Sequence, residues 1–183
     1  GNIRFLNNLK LNRNLLSQVN QTSEGQFPFA TILSCIDSRT SAELIFDQGL
    51  GDIFSIRIAG NILNEDIIGS MEYACGIAGS KIILVLGHTK CGAVISACDN
   101  MEIGHLTSLL HKLKPAIDSE QTITSGRNGQ NIDFVNRVST ENVWHSVRQI
   151  RIRSKILENL EKKGKILITG GLYNIDTGEV TFF

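Results

Sequence analysis

Two short polar motifs, each placed directly after an apolar run, constrain the fold of this 183-residue chain more than any other feature. The run Ala30–Ser34 leads into Cys35-Ile36-Asp37-Ser38-Arg39, and the run Lys81–Gly87 leads into His88-Thr89-Lys90-Cys91. Short apolar runs of this kind are typical of buried parallel strands. Since open α/β sheets place their sites at the carboxyl ends of such strands, we expect the two motifs to lie together at one edge of a sheet.

The side chains of the two motifs predict a metal site. Cys35 and Cys91 supply two sulfurs and His88 an imidazole, which is a donor set that suits Zn²⁺. Three protein ligands rather than four are typical of a catalytic zinc with one open position. Asp37 and Arg39 follow the first ligand as a carboxylate and a cation that can hold it through two hydrogen bonds. Asp37 could instead supply a fourth ligand, so a closed, purely structural zinc site is the alternative.

The rest of the chain predicts a single α/β domain over residues 1–183. The order of its segments favours a mostly parallel central sheet of four strands, with an antiparallel C-terminal edge strand and flanking helices. Residues 1–22 are expected to form an N-terminal helical arm, in which one amphipathic helix from Ile3 to Val19 lies on the outside of the domain or on a neighbouring subunit. A later helix from Leu106 to Leu113 is expected to stop at Pro115.

A helix predicted from Asn64 to about Gly79 is apolar on two faces. One face carries Ile67 and Met71, whereas the other carries Tyr73 together with glycines that allow another backbone to come close. A helix packed on two sides fits either a central helix under its own sheet or a seam between two subunits, and the sequence favours the two equally.

Composition excludes several classes of partner. The 18 basic and 18 acidic residues balance, so the chain lacks the excess of positive charge that is typical of proteins that bind nucleic acid or an anionic membrane. No apolar run approaches the roughly 20 residues of a membrane span. Cys75 and Cys98 lie inside helical patterns and are interpreted as small buried hydrophobes. This favours a reducing compartment and a cytoplasmic location, with a periplasmic or exported protein as the alternative if a leader has been removed.

The motifs resemble those of the β-class carbonic anhydrases, and the resemblance covers essentially the whole chain. Cys35–Arg39 and Gly87–Gly92 match the two signatures of that family. Arg57–Asn61 resembles its segment after the second strand, and Gly170–Tyr173 with Asp176–Gly178 resembles its closing hairpin.

The resemblance implies an enzyme that reversibly hydrates carbon dioxide to bicarbonate and a proton, by attack of zinc-bound hydroxide. One Zn²⁺ per subunit would be held by Cys35, His88 and Cys91. Asp37 and Arg39 would form the catalytic pair.

The resemblance also implies a set of substrate-contacting residues. These are Gln26, Phe54, Ala59, Tyr73 and Gly92. The family divides into a form with an open site and a bicarbonate-regulated form, which has a tryptophan three residues before the first ligand. Ile32 occupies that position here, so the resemblance predicts the open, non-cooperative form.

Finally, the resemblance implies self-association as a dimer or a dimer of dimers, with pocket residues drawn from both subunits. Two other functions stay open at this point. Hydrolysis of CS₂ or COS would use the same ligands, so only an assay distinguishes it. A non-catalytic zinc or redox module would require permanent binding of Asp37 to the metal, or oxidised thiols.

Overall fold

A five-stranded sheet forms the centre of the protein in the computed structural model, which describes residues 1–183. The strands are β1 (Ala30–Ser34), β2 (Ile53–Arg57), β3 (Ile82–His88), β4 (Leu167–Tyr173) and β5 (Val180–Phe182). Their order is β2-β1-β3-β4-β5, with the first four parallel and β5 antiparallel to β4. The predicted fold class is therefore confirmed.

Nine α-helices surround this sheet. They are α1 (Asn2–Leu6), α2 (Leu15–Gln21), α3 (Ala42–Ile45), α4 (Glu65–Glu72), α5 (Gly92–Cys98), α6 (Gly104–Leu110), α7 (Lys114–Ser119), α8 (Ile132–Arg153) and α9 (Lys155–Lys162). Helices α4, α8 and α9 pack on one face of the sheet, and α3 packs on the other. None of the helices combines the length and the apolar character that crossing a bilayer requires.

Strand register brings the two motifs to one edge of the sheet. In the parallel pairing of β1 with β3, Ser34 lies opposite Leu86, and in the pairing of β1 with β2 it lies opposite Arg57. Cys35 and His88 therefore leave the sheet at the same edge. This is the arrangement expected where the carboxyl ends of parallel strands meet.

The N-terminal arm contains two helices rather than one. The predicted helix from Ile3 to Val19 is wrong, because the chain between α1 and α2 is not helical. Asn8 takes a left-handed φ of 54°, which asparagine tolerates better than most residues and which ends a helix. Asn14 then caps α2, its side-chain oxygen accepting a hydrogen bond from the Ser17 amide at 3.0 Å.

Pro115 lies in the first turn of a helix instead of ending one. The chain passes from α6 through a 3₁₀ turn at His111–Leu113 directly into α7, which begins at Lys114. The expectation that Pro115 stops the helix is therefore wrong. Proline fits this position because an amide in the first turn has no intrahelical acceptor to lose.

Helix α4 begins as predicted and ends in an irregular turn. The side chain of Asn64 caps it by accepting from the Ile67 amide at 2.8 Å, and a π-helical turn at Tyr73–Ile77 continues it. Ile67 and Met71 are buried against the sheet, whereas Tyr73 and Ile77 are exposed. One apolar face thus packs on the chain's own sheet, and the other is uncovered in a single subunit.

Candidate metal centre and active site

Three metal-ligating side chains meet at the edge of the sheet where β1 and β3 end. Cys35 follows β1, His88 is the last residue of β3, and Cys91 occupies the position just before α5. Their ligand atoms all lie within 4.8 Å of one another, and the two sulfurs are 3.9 Å apart. All three side chains are buried.

The imidazole of His88 is oriented for metal binding. Its Nδ1 lies 2.9 Å from the carbonyl oxygen of Thr89, and because a carbonyl can only accept, Nδ1 carries the proton. The lone pair is then on Nε2, which is buried and has no hydrogen-bond partner in the protein. Buried polar atoms are rarely left unpaired, so this nitrogen indicates a ligand that the polypeptide does not supply. Two sulfurs and one nitrogen aimed at the same space fit Zn²⁺.

The two thiols have unequal proton affinities. Hydrogen bonding to the Cys91 thiol and to the backbone amides of Asp37 and Gly60 lowers the pKa of Cys35 against the opposing effect of burial. The neighbouring sulfur of Cys35, together with burial, raises the pKa of Cys91. Two adjacent thiolates repel each other, and a divalent cation between them removes that repulsion.

A carboxylate and its guanidinium partner lie beside the ligands. Arg39 donates from Nε to Asp37 Oδ1 at 2.9 Å and from Nη2 to Oδ2 at 2.8 Å, and its backbone amide donates to Oδ1 at 3.0 Å. Asp37 Oδ2 lies 4.0 Å from His88 Nε2. The hydrogen bonds from Arg39 hold the pKa of Asp37 well below its usual range, so the side chain stays a carboxylate.

Two further side chains, Arg57 and Thr40, fix the loop that carries Cys35 and Asp37. Arg57 donates to the carbonyl oxygens of Cys35 at 3.0 Å and Asp37 at 2.7 Å. The Thr40 hydroxyl lies 3.1 Å and 2.9 Å from the same two oxygens. Sequence reasoning assigned neither residue a role at the metal site. The available signal for Arg57 is its position at the carboxyl end of β2, the same edge as the ligands.

Comparison with known proteins identifies the family to which this arrangement belongs. A sequence profile described as carbonic anhydrase matches residues 30–180, most of the chain. The chain belongs to the carbonic anhydrase family. Carbonic anhydrase 2 of Mycobacterium tuberculosis is 33% identical over 159 residues, which cover 84% of this chain and 73% of that protein. The carbonic anhydrase of Mycolicibacterium smegmatis is 34% identical over 163 residues, covering 86% and 76%.

Solved β-carbonic anhydrases share the fold. A tetrameric enzyme from Sordaria macrospora superposes with a TM-score of 0.78 at 23% identity, over 90% of this chain and 84% of that one. The Coccomyxa enzyme, solved in complex with acetazolamide, superposes with a TM-score of 0.81 at 24% identity, over 92% and 77%. Together with the profile match and the relatives more than 30% identical, the Cys–His–Cys group makes this chain a β-class carbonic anhydrase, the class predicted from its motifs. Its activity is the hydration of carbon dioxide, and its Cys–His–Cys group fits one zinc ion per subunit.

The residues predicted to contact substrate fall into two groups in this carbonic anhydrase. Gly92 is exposed at the first position of α5, next to Cys91. Ala59 precedes Gly60, whose amide lies 3.3 Å from the sulfur of Cys35. Both therefore lie beside the metal ligands.

The other three predicted substrate residues do not reach the metal ligands of their own chain. Gln26 is exposed before β1, at the opposite end from Cys35 of a strand about 16 Å long. The rings of Phe54 and Tyr73 lie 6.4 Å apart, centroid to centroid, and line an open groove of about 670 Å³ that includes no metal ligand. Their part in substrate binding stays a prediction.

Proposed function

We propose that this carbonic anhydrase works at a zinc ion held by Cys35, His88 and Cys91, with Asp37 and Arg39 as its catalytic pair. The observation that carries the proposal is the unpaired, buried Nε2 of His88 beside two sulfurs and the carboxylate of Asp37. When bound, zinc supplies the acidity that lets a water molecule react as a nucleophile near neutral pH.

The protein's part is to hold and orient the reacting water. As a carboxylate, Asp37 accepts a hydrogen bond from that water and fixes the direction of its lone pair. Arg39 holds both carboxylate oxygens and so keeps Asp37 ionised and in one orientation. Arg57 and Thr40 hydrogen-bond to the backbone of the loop that carries Cys35 and Asp37, and so limit movement of Asp37 relative to Cys35.

We also propose the open, non-cooperative form of the site. Asp37 would have to leave Arg39 in order to bind zinc, and three hydrogen bonds oppose that movement. Ile32, at the position of the tryptophan in the regulated form, is buried in the cluster between the sheet and α3. The expected result is a hyperbolic dependence of dehydration rate on bicarbonate concentration, whereas a sigmoidal dependence would assign the regulated form.

The predicted pocket residues support self-association as part of the function. Gln26, Phe54 and Tyr73 are distant from their own metal ligands, and the Sordaria macrospora relative is tetrameric. We therefore propose a dimer in which these side chains complete the partner's site, with a dimer of dimers as the larger assembly. The exposed Tyr73 and Ile77 on the uncovered face next to α4 would lie in the contact.

A reducing, cytoplasmic location is proposed on the chemistry of the thiols. All four cysteines are free, and oxidation of the adjacent Cys35 and Cys91 would remove two of the three ligands. Retention of zinc and activity after prolonged exposure to an oxidising glutathione buffer would argue instead for an exported protein.

Stopped-flow hydration of carbon dioxide, measured on protein of known zinc content, tests the proposal. Wild-type protein is expected to carry one zinc per subunit and to be active, and Asp37→Asn to keep zinc and lose at least about 10-fold in rate because positioning is lost. An active Asp37→Asn protein would remove Asp37 from the mechanism. Turnover of CS₂ or COS in preference to carbon dioxide would replace the proposed substrate.

A further inference from the structure

Helix α8 runs behind the metal centre and contacts both halves of it through asparagine side chains. We propose that Asn142 and Asn136 are positioning residues, which set the Cys35 side of the site and the His88–Cys91 side relative to each other. The inference rests on the proposed zinc ligands. Neither asparagine reaches a ligand atom, so each acts through backbone that lies next to one.

Asn142 acts on the Cys35 side. Its side chain is only 2% exposed, and its Nδ2 donates to the carbonyl oxygen of Gly60 at 2.8 Å. The amide of the same glycine donates to the sulfur of Cys35 at 3.3 Å. Gly60 has a φ of 66°, and a Cβ there would approach Leu113 to 3.1 Å, so the position requires glycine. Glycine can adopt many backbone conformations, so its own dihedral preferences do not fix the orientation of its amide. The hydrogen bond from Asn142 to the Gly60 carbonyl holds this backbone in place and keeps the Gly60 amide directed at the sulfur of Cys35.

Asn136 acts on the other side. Its Oδ1 accepts a hydrogen bond from the amide of Lys90 at 2.8 Å. Lys90 lies between His88 and Cys91 and has a φ of 54°, a left-handed conformation that is strained for lysine. The tight turn that lets two ligands three residues apart face one metal therefore depends on this residue, and Asn136 holds it.

The two asparagines have opposite hydrogen-bonding roles, one as donor and one as acceptor, and their backbone partners fix these roles. A carbonyl oxygen can only accept, so Asn142 must donate, and an amide can only donate, so Asn136 must accept. The two positions are six residues apart, or about 9 Å along a helix axis. Helix α8 is anchored by buried residues such as Val138, Val143 and Val147, so this spacing is rigid.

Aspartate substitutions distinguish the two roles, because an ionised aspartate can accept a hydrogen bond but cannot donate one. Asn136→Asp keeps an acceptor oxygen and is expected to leave zinc affinity within about threefold of wild type. Asn142→Asp replaces the donor by a carboxylate, and Asn142→Leu and Asn136→Leu remove the polar group altogether. These three variants are expected to weaken zinc binding by about 10- to 100-fold, the usual effect of removing a group that orients a metal ligand. A role in packing alone would make Asn136→Asp and Asn136→Leu, which are similar in size at this partly exposed position, weaken zinc binding equally.

The measurement is competition of the full-length protein against a chelator for zinc, with the absorption of the cobalt-substituted protein as a second readout. Weakened variants are expected to show a smaller or shifted thiolate-to-cobalt band, because sulfur geometry has changed. Val147→Ala is the control, since it removes buried volume from the same helix but touches neither motif. It is expected to lower thermal stability and to leave zinc affinity and the cobalt spectrum unchanged.

Three results would overturn the inference: unchanged zinc affinity in Asn142→Leu, equal affinity of Asn136→Asp and Asn136→Leu, or a loss in Val147→Ala equal to that in Asn142→Leu. Asn136 is partly exposed, so its two variants test the inference even if Asn142 variants do not fold. Failure of the proposed ligand set would look different, because wild-type protein itself would then lack stoichiometric zinc.

Discussion

Arg39 holds both carboxylate oxygens of Asp37, with Nε 2.9 Å from Oδ1 and Nη2 2.8 Å from Oδ2. Each of the two oxygens thus has its own donor, and the carboxylate plane is fixed beside the metal ligands. Asp37 is mostly shielded from solvent, with 15% of its side chain exposed, whereas Arg39 is 54% exposed. The arginine can therefore be changed without opening the core.

Arg39→Gln is expected to slow carbon dioxide hydration by about 10- to 100-fold while zinc content stays at one per subunit, because Asp37 loses its fixed orientation. Rates from stopped-flow assays and zinc from elemental analysis check this. Arg137→Gln, at an exposed arginine on α8, is the matched control and should behave as wild type. Full activity in Arg39→Gln would contradict the role of the pair.

Removal of zinc is expected to destabilise the fold. A metal that binds only the native state raises the free energy of unfolding in proportion to the logarithm of its concentration over its dissociation constant. The midpoint of thermal unfolding should therefore fall on chelation and return when zinc is added back. Cys35→Ala should show the low midpoint under both conditions, whereas Cys75→Ala, at a buried cysteine distant from the site, should still respond to zinc.

The arm is expected to loosen when Asp47 loses its charge. Arg4 and Arg13 both hydrogen-bond to the carboxylate of Asp47, and they hold its pKa well below the usual range. An unfolded aspartate has a pKa of about 3.9, so ionised Asp47 stabilises the folded arm at neutral pH. That stabilisation decreases as the pH falls below about 5, and it is lost through the lower, folded-state pKa.

Asp47→Asn should accordingly be less stable to urea than wild type at pH 7, with a difference that shrinks toward pH 3. Hydrogen exchange should show faster exchange in residues 2–21 of the variant at pH 7. Asp118→Asn, which removes an exposed carboxylate paired only with Lys114, is the control and should change little. A difference in stability that is the same at both pH values would contradict the ionic anchoring of the arm.

Self-association is expected to depend on the uncovered face next to α4. Ile77 is 77% exposed there, and Ile152 on α8 is similarly exposed at 64%, so the two isoleucines form a matched pair. Ile77→Arg should shift the protein toward monomer in sedimentation and lower activity without loss of zinc, because a desolvated arginine disfavours the contact. Ile152→Arg should keep the wild-type mass. A wild-type mass in Ile77→Arg together with a shift toward monomer in Ile152→Arg would place the contact between subunits elsewhere.

The metal ligands could be predicted from sequence because their signal is local. Cys35 and His88 each end a buried strand, and parallel strands bring their carboxyl ends together whatever the remaining topology is. Cys91 follows within one turn. The fold class followed from the same strands. The single helix predicted from Ile3 to Val19 and the helix end predicted at Pro115 are wrong, because the capping and turn preferences of single residues decide those boundaries against the broader apolar pattern.

The supporting residues could not be predicted from the same information. Asn142 lies 82 positions from Gly60, and Asn136 lies 46 positions from Lys90. Each contact forms only because α8 packs against the sheet in one orientation about its own axis. In a sequence, an asparagine within a helix looks the same whether it faces solvent or bonds to a distant backbone group, so the residues around it do not reveal the partner. Arg57 has one such sign, its position at the carboxyl end of β2, but a charged residue on an edge strand is ordinarily exposed, so that position alone does not assign it a partner.

The position of α8 late in the chain also has a consequence for synthesis on the ribosome. All three ligands have been made once Cys91 is complete, but α8 and β4 follow only at residues 132–153 and 167–173. A nascent chain therefore carries the sulfurs and the imidazole well before it carries the helix that aligns them. We therefore expect tight zinc binding only after α8 has been synthesised, and weak zinc binding by a ribosome-bound chain that ends near residue 130.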